Sequence, residues 1–417
     1  MIKVMHIITD LSPGGAEFML CRLLSGMDTA CFENEVISLT NLGALTEKIR
    51  MTRVPVRALG MNRGIPNPFP VVRLLQWIRE SKPQIVQTWM YHANLIGGVA
   101  ARLAGDIPVV WNVRHANLDP QGNKRLTIWT AKGCARMSRW LPRCVVFCAQ
   151  EALRLHTKLG YAAVRMEVIP NGFDLHEFRP DSAARLSFHR ELTITEDALV
   201  IGMAARFHPL KDHHNFIQAA ARLHAMIPNV HFALCGLGVT RDNPELAKWI
   251  AEAGIQANCH LLGERRDIPR LFSAFDIATS SSLSEAFPQV VGEAMACGTP
   301  CVVTNVGDSA LIVGEAGRVV PPRNPDALAA AWRELIEVGP RVRRHLGIAA
   351  RRRVKQHFGL PAIVERYQAV YEQLVSAKPS STREFISPLG TRQPRTRRLQ
   401  DLLGEKSHLK RTCEKPT

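Results

Sequence analysis

Glu285 and Glu293 stand with seven residues between them in the string Ser284-Glu285-Ala286-Phe287-Pro288-Gln289-Val290-Val291-Gly292-Glu293-Ala294-Met295-Ala296-Cys297-Gly298-Thr299-Pro300. An apolar run, Ile277–Ser280, precedes it and reads as a strand. Pro288 suits the first turn of a helix, where its missing N–H is not needed. Gly298 and Pro300 stop that helix after about three turns. Glu285 then lies in a loop and Glu293 on the helix. Free backbone amides at Ala286, Phe287, Gln289 and Val290 would gather at the positive end of the helix dipole. Two carboxylates flanking an anion site suit a ligand with phosphate and several hydroxyls, because a carboxylate accepts from paired OH groups.

A second constellation lies in Gly202-Met203-Ala204-Ala205-Arg206-Phe207-His208-Pro209-Leu210-Lys211-Asp212. Arg206 ends a strand and Lys211 sits in the loop that follows. A guanidinium fork with an ammonium can clamp a diphosphate and neutralise a leaving phosphate. A third, Ser12-Pro13-Gly14-Gly15-Ala16-Glu17, follows the first strand. Gly14 and Gly15 let backbone approach a ligand closely beside a helix N-terminus. The spacing is not the G-x-G-x-x-G of a nicotinamide site.

These loops need strands and helices to hold them. Val4–Ile8, Val36–Leu39, Ile85–Gln87, Val109–Val113 and Val145–Cys148 read as strands, with helices over Ala16–Met27, Pro70–Ser81 and Asn94–Ala104. The alternation resumes at Val200–Ala204 and continues through His213–Met226, Val230–Leu234, Pro244–Ala253, His260–Leu262, Ile268–Ala274, Ile277–Ser280, Cys301–Thr304 and Arg318–Val320. Such order implies βαβ units and parallel sheets covered on both faces. The fold class is α/β, with two Rossmann-like domains facing across a cleft, where ligands of such sheets sit. The expected layout is an acceptor domain over 1–170, an irregular polar linker over 171–197 and a donor domain over 198–358. A C-terminal helix over 359–377 returns to the first domain, and a disordered basic tail covers 378–417.

With these motifs quoted, the chain resembles the retaining GT-B glycosyltransferases of family 4 over Lys3 to Leu374. Val168-Ile169-Pro170-Asn171-Gly172-Phe173-Asp174 adds to the likeness. Trp111-Asn112-Val113-Arg114-His115, with Asn117-Leu118-Asp119, is similar to O-antigen and exopolysaccharide transferases. The resemblance implies a nucleotide-diphosphate sugar donor, expected to be a UDP-sugar, and a saccharide or lipid-linked saccharide acceptor. Glu293 would bind the ribose, Glu285 the donor sugar, and Arg206 with Lys211 the leaving diphosphate. Gly15 would approach the reaction centre, and His115 would orient sugar or acceptor, with His92 a weaker candidate. Gly236 and Gly263 would seat the base by backbone contacts. No cofactor is expected. The chain has no D-x-D triplet, so a metal-independent mechanism is favoured.

Composition narrows the alternatives. The chain has 417 residues, 46% hydrophobic and 22% charged, which excludes a mostly disordered or fibrous protein. Among the ten cysteines the closest pairs, Cys144/Cys148 and Cys297/Cys301, lack C-x2-C spacing, and reduced thiols in a cytoplasmic protein are expected. No apolar run reaches the length of a membrane span. The net charge of +16 is unevenly placed. Met1–Pro170 carries 21 Lys/Arg against 11 Asp/Glu, Asn171–Lys378 has 23 against 22, and the remainder has nine against four. Asn123–Arg143 holds Lys124, Arg125, Lys132, Arg136, Arg139 and Arg143 with no acid, interleaved with Trp129 and Trp140. A basic helix with tryptophan anchors suits the anionic cytoplasmic face of a membrane, with the basic tail assisting. Arg341–Lys355 is equally basic and reads as a solvated helix face. Only 6% of residues are aromatic and no nucleic-acid-reading motif appears, so nucleic acid is not an expected partner. Two other readings stay open at this point. One is a sugar-nucleotide epimerase or hydrolase on the same fold. The other is a non-catalytic protein binding anionic lipid or nucleic acid.

Overall fold

The computed structural model describes residues 1–62, 69–119 and 124–377. Asn123 and the basic tail over 378–417 lie outside the described residues. Seven strands form the first sheet: β1 (Ile2–Ile8), β2 (Phe32–Ser38), β3 (Val56–Ala58), β4 (Ile85–Trp89), β5 (Val109–Val113), β6 (Cys144–Phe147) and β7 (Met166–Val168). Their order is β3-β2-β1-β4-β5-β6-β7, all parallel. Six more form the second: β8 (Leu199–Ala204), β9 (Val230–Cys235), β10 (Cys259–Leu261), β11 (Ile277–Ser280), β12 (Cys301–Thr304) and β13 (Gly317–Val320). That order is β10-β9-β8-β11-β12-β13, again parallel. In each sheet the order reverses beside the first strand, at β1/β4 and β8/β11. Loops after those strands therefore open into a crevice.

Burial explains the near-continuous apolar strands. In β1, Val4 and Ile8 face one layer while Met5 and Ile7 face the other, and all four are fully buried. The first layer is closed by helices Gly15–Gly26 and Leu360–Ser376. Leu360, Ile363, Val364, Tyr367 and Tyr371 pack there against Val4, Ile8 and Trp89. Tyr367 Oη accepts from Asn112 Nδ2 at 2.8 Å, and Tyr371 Oη donates to Gln87 Oε1 at 3.0 Å.

Several sequence readings change. The linker expected to be irregular holds helix Ala184–Leu192 and buries Phe173, Phe178 and Phe188. Its aromatic anchors outweigh its polar composition. The edge strands β3 and β7 have three residues each and no strong apolar pattern. The helix of the glutamate string spans only Gln289–Ala296, about two turns, with Pro288 as its N-cap. The basic run in helix Gly339–His357 is not simply solvated. Arg341, Arg344, Arg352 and Lys355 are exposed, but three other arginines meet the carbonyl ends of neighbouring helices. Arg343 donates to Leu335 and Ile336, Arg351 to Ala296, and Arg353 to Leu311 and Ile312. Cations there satisfy orphan carbonyls and oppose the negative dipole end.

Burial also holds four histidines neutral. His6, His156, His213 and His260 are each pushed from 6.5 down to about 4, chiefly by desolvation. The unfolded chain binds these protons near pH 6.5 and the folded chain only near 4. Stability present above 6.5 is therefore lost as pH falls between those values, by up to roughly 2 kcal/mol each for His6, His156 and His213 from pH 6.5 to 5, and by less for the more exposed His260, whose charge water screens. Glu17, Asp212 and Asp308, all raised by burial, act in the opposite sense. The melting midpoint is expected to drop as pH falls from 6.5 toward 4.5. A flat midpoint across that window contradicts this account.

Candidate active site

One cleft of about 690 Å³ gathers most of the candidate residues. From the first half it is lined by Gly14, Gly15, Glu17, Arg114, His115 and Asn117; from the second by Arg206, Lys211, Glu293 and the stretch Ser284–Val290. Thus Glu285, Glu293, Arg206, Lys211, His115, Gly14, Gly15, Ala286, Phe287 and Pro288 share one space. Gly236, Gly263 and His92 do not line it. Gly236 N–H instead donates to Gly263 O at 2.8 Å, and Gly263 N–H to Val239 O at 2.9 Å, so the two glycines close a turn beside the end of β9.

Lys211 ends a 3₁₀ turn, Pro209–Lys211. His208 starts that turn by accepting from Leu210 N–H at 3.2 Å. The turn is tied to the neighbouring strand end by Leu283 N–H to Leu210 O at 2.8 Å and by Ser281 Oγ to Lys211 O at 3.0 Å. Lys211 Nζ is thereby delivered to Glu285 Oε1, which also accepts from Ser282 Oγ at 2.7 Å. Arg206 is exposed in the cleft and makes no ion pair among the described residues. The His208 ring is held below its usual value by burial and by the charges of Arg206 and Lys211. These features make the second half's side of the cleft cationic, with Arg206 the charge left outside an ion pair there among the described residues.

Phe287 turns its ring into the core, stacked on Phe173 at 6.2 Å, so only its backbone serves the cleft. The carboxylate of Glu293 is already engaged. Arg22 of helix Gly15–Gly26 donates to Glu293 Oε1 at 2.6 Å and to Gln289 Oε1 at 3.1 Å. Gln289 Nε2 returns a bond to Gly15 O at 2.7 Å. Arg22 is 7% exposed and lies within 5.8 Å of the Phe173 ring and 5.3 Å of the Phe178 ring. A buried carboxylate of the second half is thus neutralised by a buried guanidinium of the first.

The sequence motifs do not place the Arg22, Glu17 and Arg114 side chains at the site, and for Gln289 they point to the backbone amide and not to the side chain. Arg22 carried a signal, since it is a cation inside the apolar run Met19-Leu20-Cys21-Arg22-Leu23-Leu24. Such a position requires a buried partner. Glu17 lines the cleft in the first turn of its helix, and burial pushes its carboxyl up to about 7.

Two doubly wound parallel sheets thus face one cleft in which Arg206 and Lys211 stand beside Glu285 and Glu293. Residues 13–177 match the family model described as Glycosyltransferase Family 4, and residues 185–353 match Glycosyl transferases group 1. Together they span most of the chain, which belongs to the family 4 glycosyltransferases of GT-B fold. A UDP-Gal:alpha-D-GlcNAc-diphosphoundecaprenol alpha-1,3-galactosyltransferase of Escherichia coli is 27% identical over 65% of this chain and 70% of its own. A D-inositol 3-phosphate glycosyltransferase of Geodermatophilus obscurus is 32% identical over 56% of this chain and 54% of its own. The structure of Anabaena HepE in complex with UDP and glucose superposes with a TM-score of 0.79. It is 22% identical and covers 89% of this chain and 100% of that one.

Proposed function

We propose that this glycosyltransferase moves a sugar from a UDP-sugar to a lipid-linked saccharide, with retention of configuration and without a metal, in the assembly of cell-surface polysaccharide. The observation that carries the reading is the convergence of Arg206, Lys211, Glu285 and Glu293 on one cleft that the first half closes with Gly14, Gly15 and His115. Glu293 accepts from the ribose hydroxyls and Glu285 from the donor sugar. Arg206 and Lys211 receive the charge that grows on the diphosphate as the anomeric C–O bond breaks. The acceptor oxygen bonds to the anomeric carbon, its proton passes to a diphosphate oxygen, and the bond pair leaves with the UDP. His115 orients the incoming hydroxyl. The relative that names a UDP-sugar and a diphosphoundecaprenol acceptor supports these choices, as does the neighbour holding UDP.

Glu293→Ala is expected to raise the donor KM at least tenfold, with a smaller change in kcat, because ribose contacts are similar in ground and transition states. Initial rates of UDP release with a panel of UDP-sugars and a prenyl-diphosphate saccharide test this, with and without EDTA. Sugar release at full rate with no acceptor present would replace transfer by hydrolysis. Loss of turnover in EDTA would overturn the metal-free part.

Membrane docking belongs to the same proposal. Helix Arg125–Met137 and the following turn expose Leu126, Trp129 at 71% and Trp140 at 57% among Lys124, Arg125, Lys132, Arg136, Arg139 and Arg143. No helix of the described residues is long and apolar enough to cross a membrane. Each cation near an anionic surface contributes about 1 kcal/mol. Neutralising Lys132, Arg136 and Arg139 together is expected to weaken sedimentation with phosphatidylglycerol vesicles roughly a hundredfold at low salt. Soluble donor binding should not change. Equal sedimentation before and after removes the docking helix from the proposal.

A further inference from the structure

Asp308 has no place in the transfer chemistry, yet it is 4% exposed and bonded across the cleft. It precedes helix Ser309–Val313 of the donor half but makes no side-chain cap there. Its carboxylate reaches the acceptor half instead. Oδ2 accepts from Gln150 N–H at 2.8 Å and Oδ1 from Glu151 N–H at 3.2 Å. These are the first two amides of helix Gln150–Leu159, whose own N-cap residue, Ala149, has no side chain able to cap. A carboxylate at that end meets orphan N–H donors and the positive end of the dipole together.

The loop behind Asp308 is fixed on the catalytic side. Asp308 N–H donates to Ala286 O at 3.0 Å. Gly307 has φ +54°, and a Cβ there would stand 2.2 Å from Glu285 O and 2.7 Å from Ala286 O. Only glycine allows the loop to lie this close to the two carbonyls. The Glu285–Ala286 backbone, whose glutamate holds Lys211, is thus linked through Gly307–Asp308 to a helix of the opposite half. That helix starts two residues after Cys148, which itself lines the cleft. The groups facing the Asp308 carboxylate are the Gln150 and Glu151 amides, the charge of Arg154 and the opposing charge of Glu151.

We propose that Asp308 is a positioning residue that supplies the missing N-cap of helix Gln150–Leu159 from across the cleft and so sets the Glu285–Lys211 pair at its working distance from the acceptor half. The inference rests on the transfer reading given above. Separation of the halves breaks both bonds at once and leaves two amides and a carboxylate without these partners. Closure is therefore favoured by groups that touch neither donor nor acceptor.

The test compares Asp308→Ala, Asp308→Asn and Gly307→Ala in the full chain. Steady-state transfer, UDP affinity by calorimetry, melting midpoint and small-angle scattering are measured on each. Asp308→Ala is expected to lower kcat at least tenfold with UDP affinity within twofold of the parent. Its radius of gyration should rise. Asp308→Asn, which keeps one amide-accepting oxygen, should recover at least threefold over alanine. Gly307→Ala should lower kcat as alanine at 308 does, by pushing the loop off the carbonyls. A kcat within twofold of the parent in Asp308→Ala overturns the proposal. So does a loss that follows a fallen melting midpoint and is not rescued by asparagine. If the parent itself transfers no sugar, the transfer reading fails instead. Scattering then decides the link alone, and an unchanged radius of gyration in Asp308→Ala refutes it.

Discussion

Lys211→Ala is expected to lower turnover roughly a hundred- to a thousandfold, the loss typical of a preorganised group facing charge that develops in the transition state. Donor affinity should fall far less. The ammonium is held in place before any ligand arrives, by the 3₁₀ turn, by Ser281 on its carbonyl and by the ion pair with Glu285. Alanine removes the positive charge and also strips Glu285 of its cation. A carboxylate with a side chain 12% exposed then keeps only the Ser282 hydroxyl among the partners seen here. It would face a diphosphate of like charge, which opposes leaving-group departure further. Lys211→Arg keeps charge but not the point geometry of an ammonium, and should recover only part of the rate. The measurement is kcat and KM for UDP release at saturating acceptor. An unchanged kcat would sink the assigned role, and a change confined to KM would make Lys211 a binding residue only.

Gly347→Ala should have the largest effect on stability. Helix Gly339–His357 crosses the turn that ends the Glu293 helix, and a Cβ at 347 would stand 1.9 Å from Gly298 O. The obstacle is backbone, which cannot turn aside as a side-chain tip can. Gly298 is itself held at φ +82° as the stop of that helix. The two elements must separate, at a cost of about 3 kcal/mol for overpacking of this kind. Separation would also pull Arg351 from the Ala296 carbonyl, so activity should fall with stability. Gly133→Ala is the control. It lies in helix Arg125–Met137 with open space around the added methyl, and should stabilise by about 0.5–1 kcal/mol. Urea midpoints that are equal for the parent and the Gly347 variant would show that the contact yields more easily than argued.

Much of the scaffold was legible because local signals agreed. Ile268–Ala274, Ile277–Ser280 and Cys301–Thr304 fall where apolar runs and their Gly and Pro boundaries place them. The glutamate string was legible for the same reason, although its helix is a turn shorter than its stop signals suggested. What stayed hidden was long-range or made by backbone. Arg22 meets Glu293 across 271 positions, and nothing near residue 22 names that partner. Asp308 bonds two main-chain amides, which carry no sequence signature at all. The arginines of helix Gly339–His357 looked like a solvated face because their acceptors are carbonyls at three helix ends. The strap over 171–197 looked loose because its phenylalanines are spaced too widely for either period.

Helix Leu360–Ser376 carries one more consequence. The sheet formed by the earliest residues is finished by nearly the last described ones, through Tyr367 on Asn112 and Tyr371 on Gln87. A nascent chain leaving the ribosome therefore presents a first half with an uncovered apolar groove throughout synthesis of the second half. The two halves cannot mature in turn, as beads on a string do. A premature stop anywhere before Leu360 would spoil the half made first as well as the half left incomplete. The order of translation makes the growing protein dependent on protection of that groove until helix Leu360–Ser376 is released.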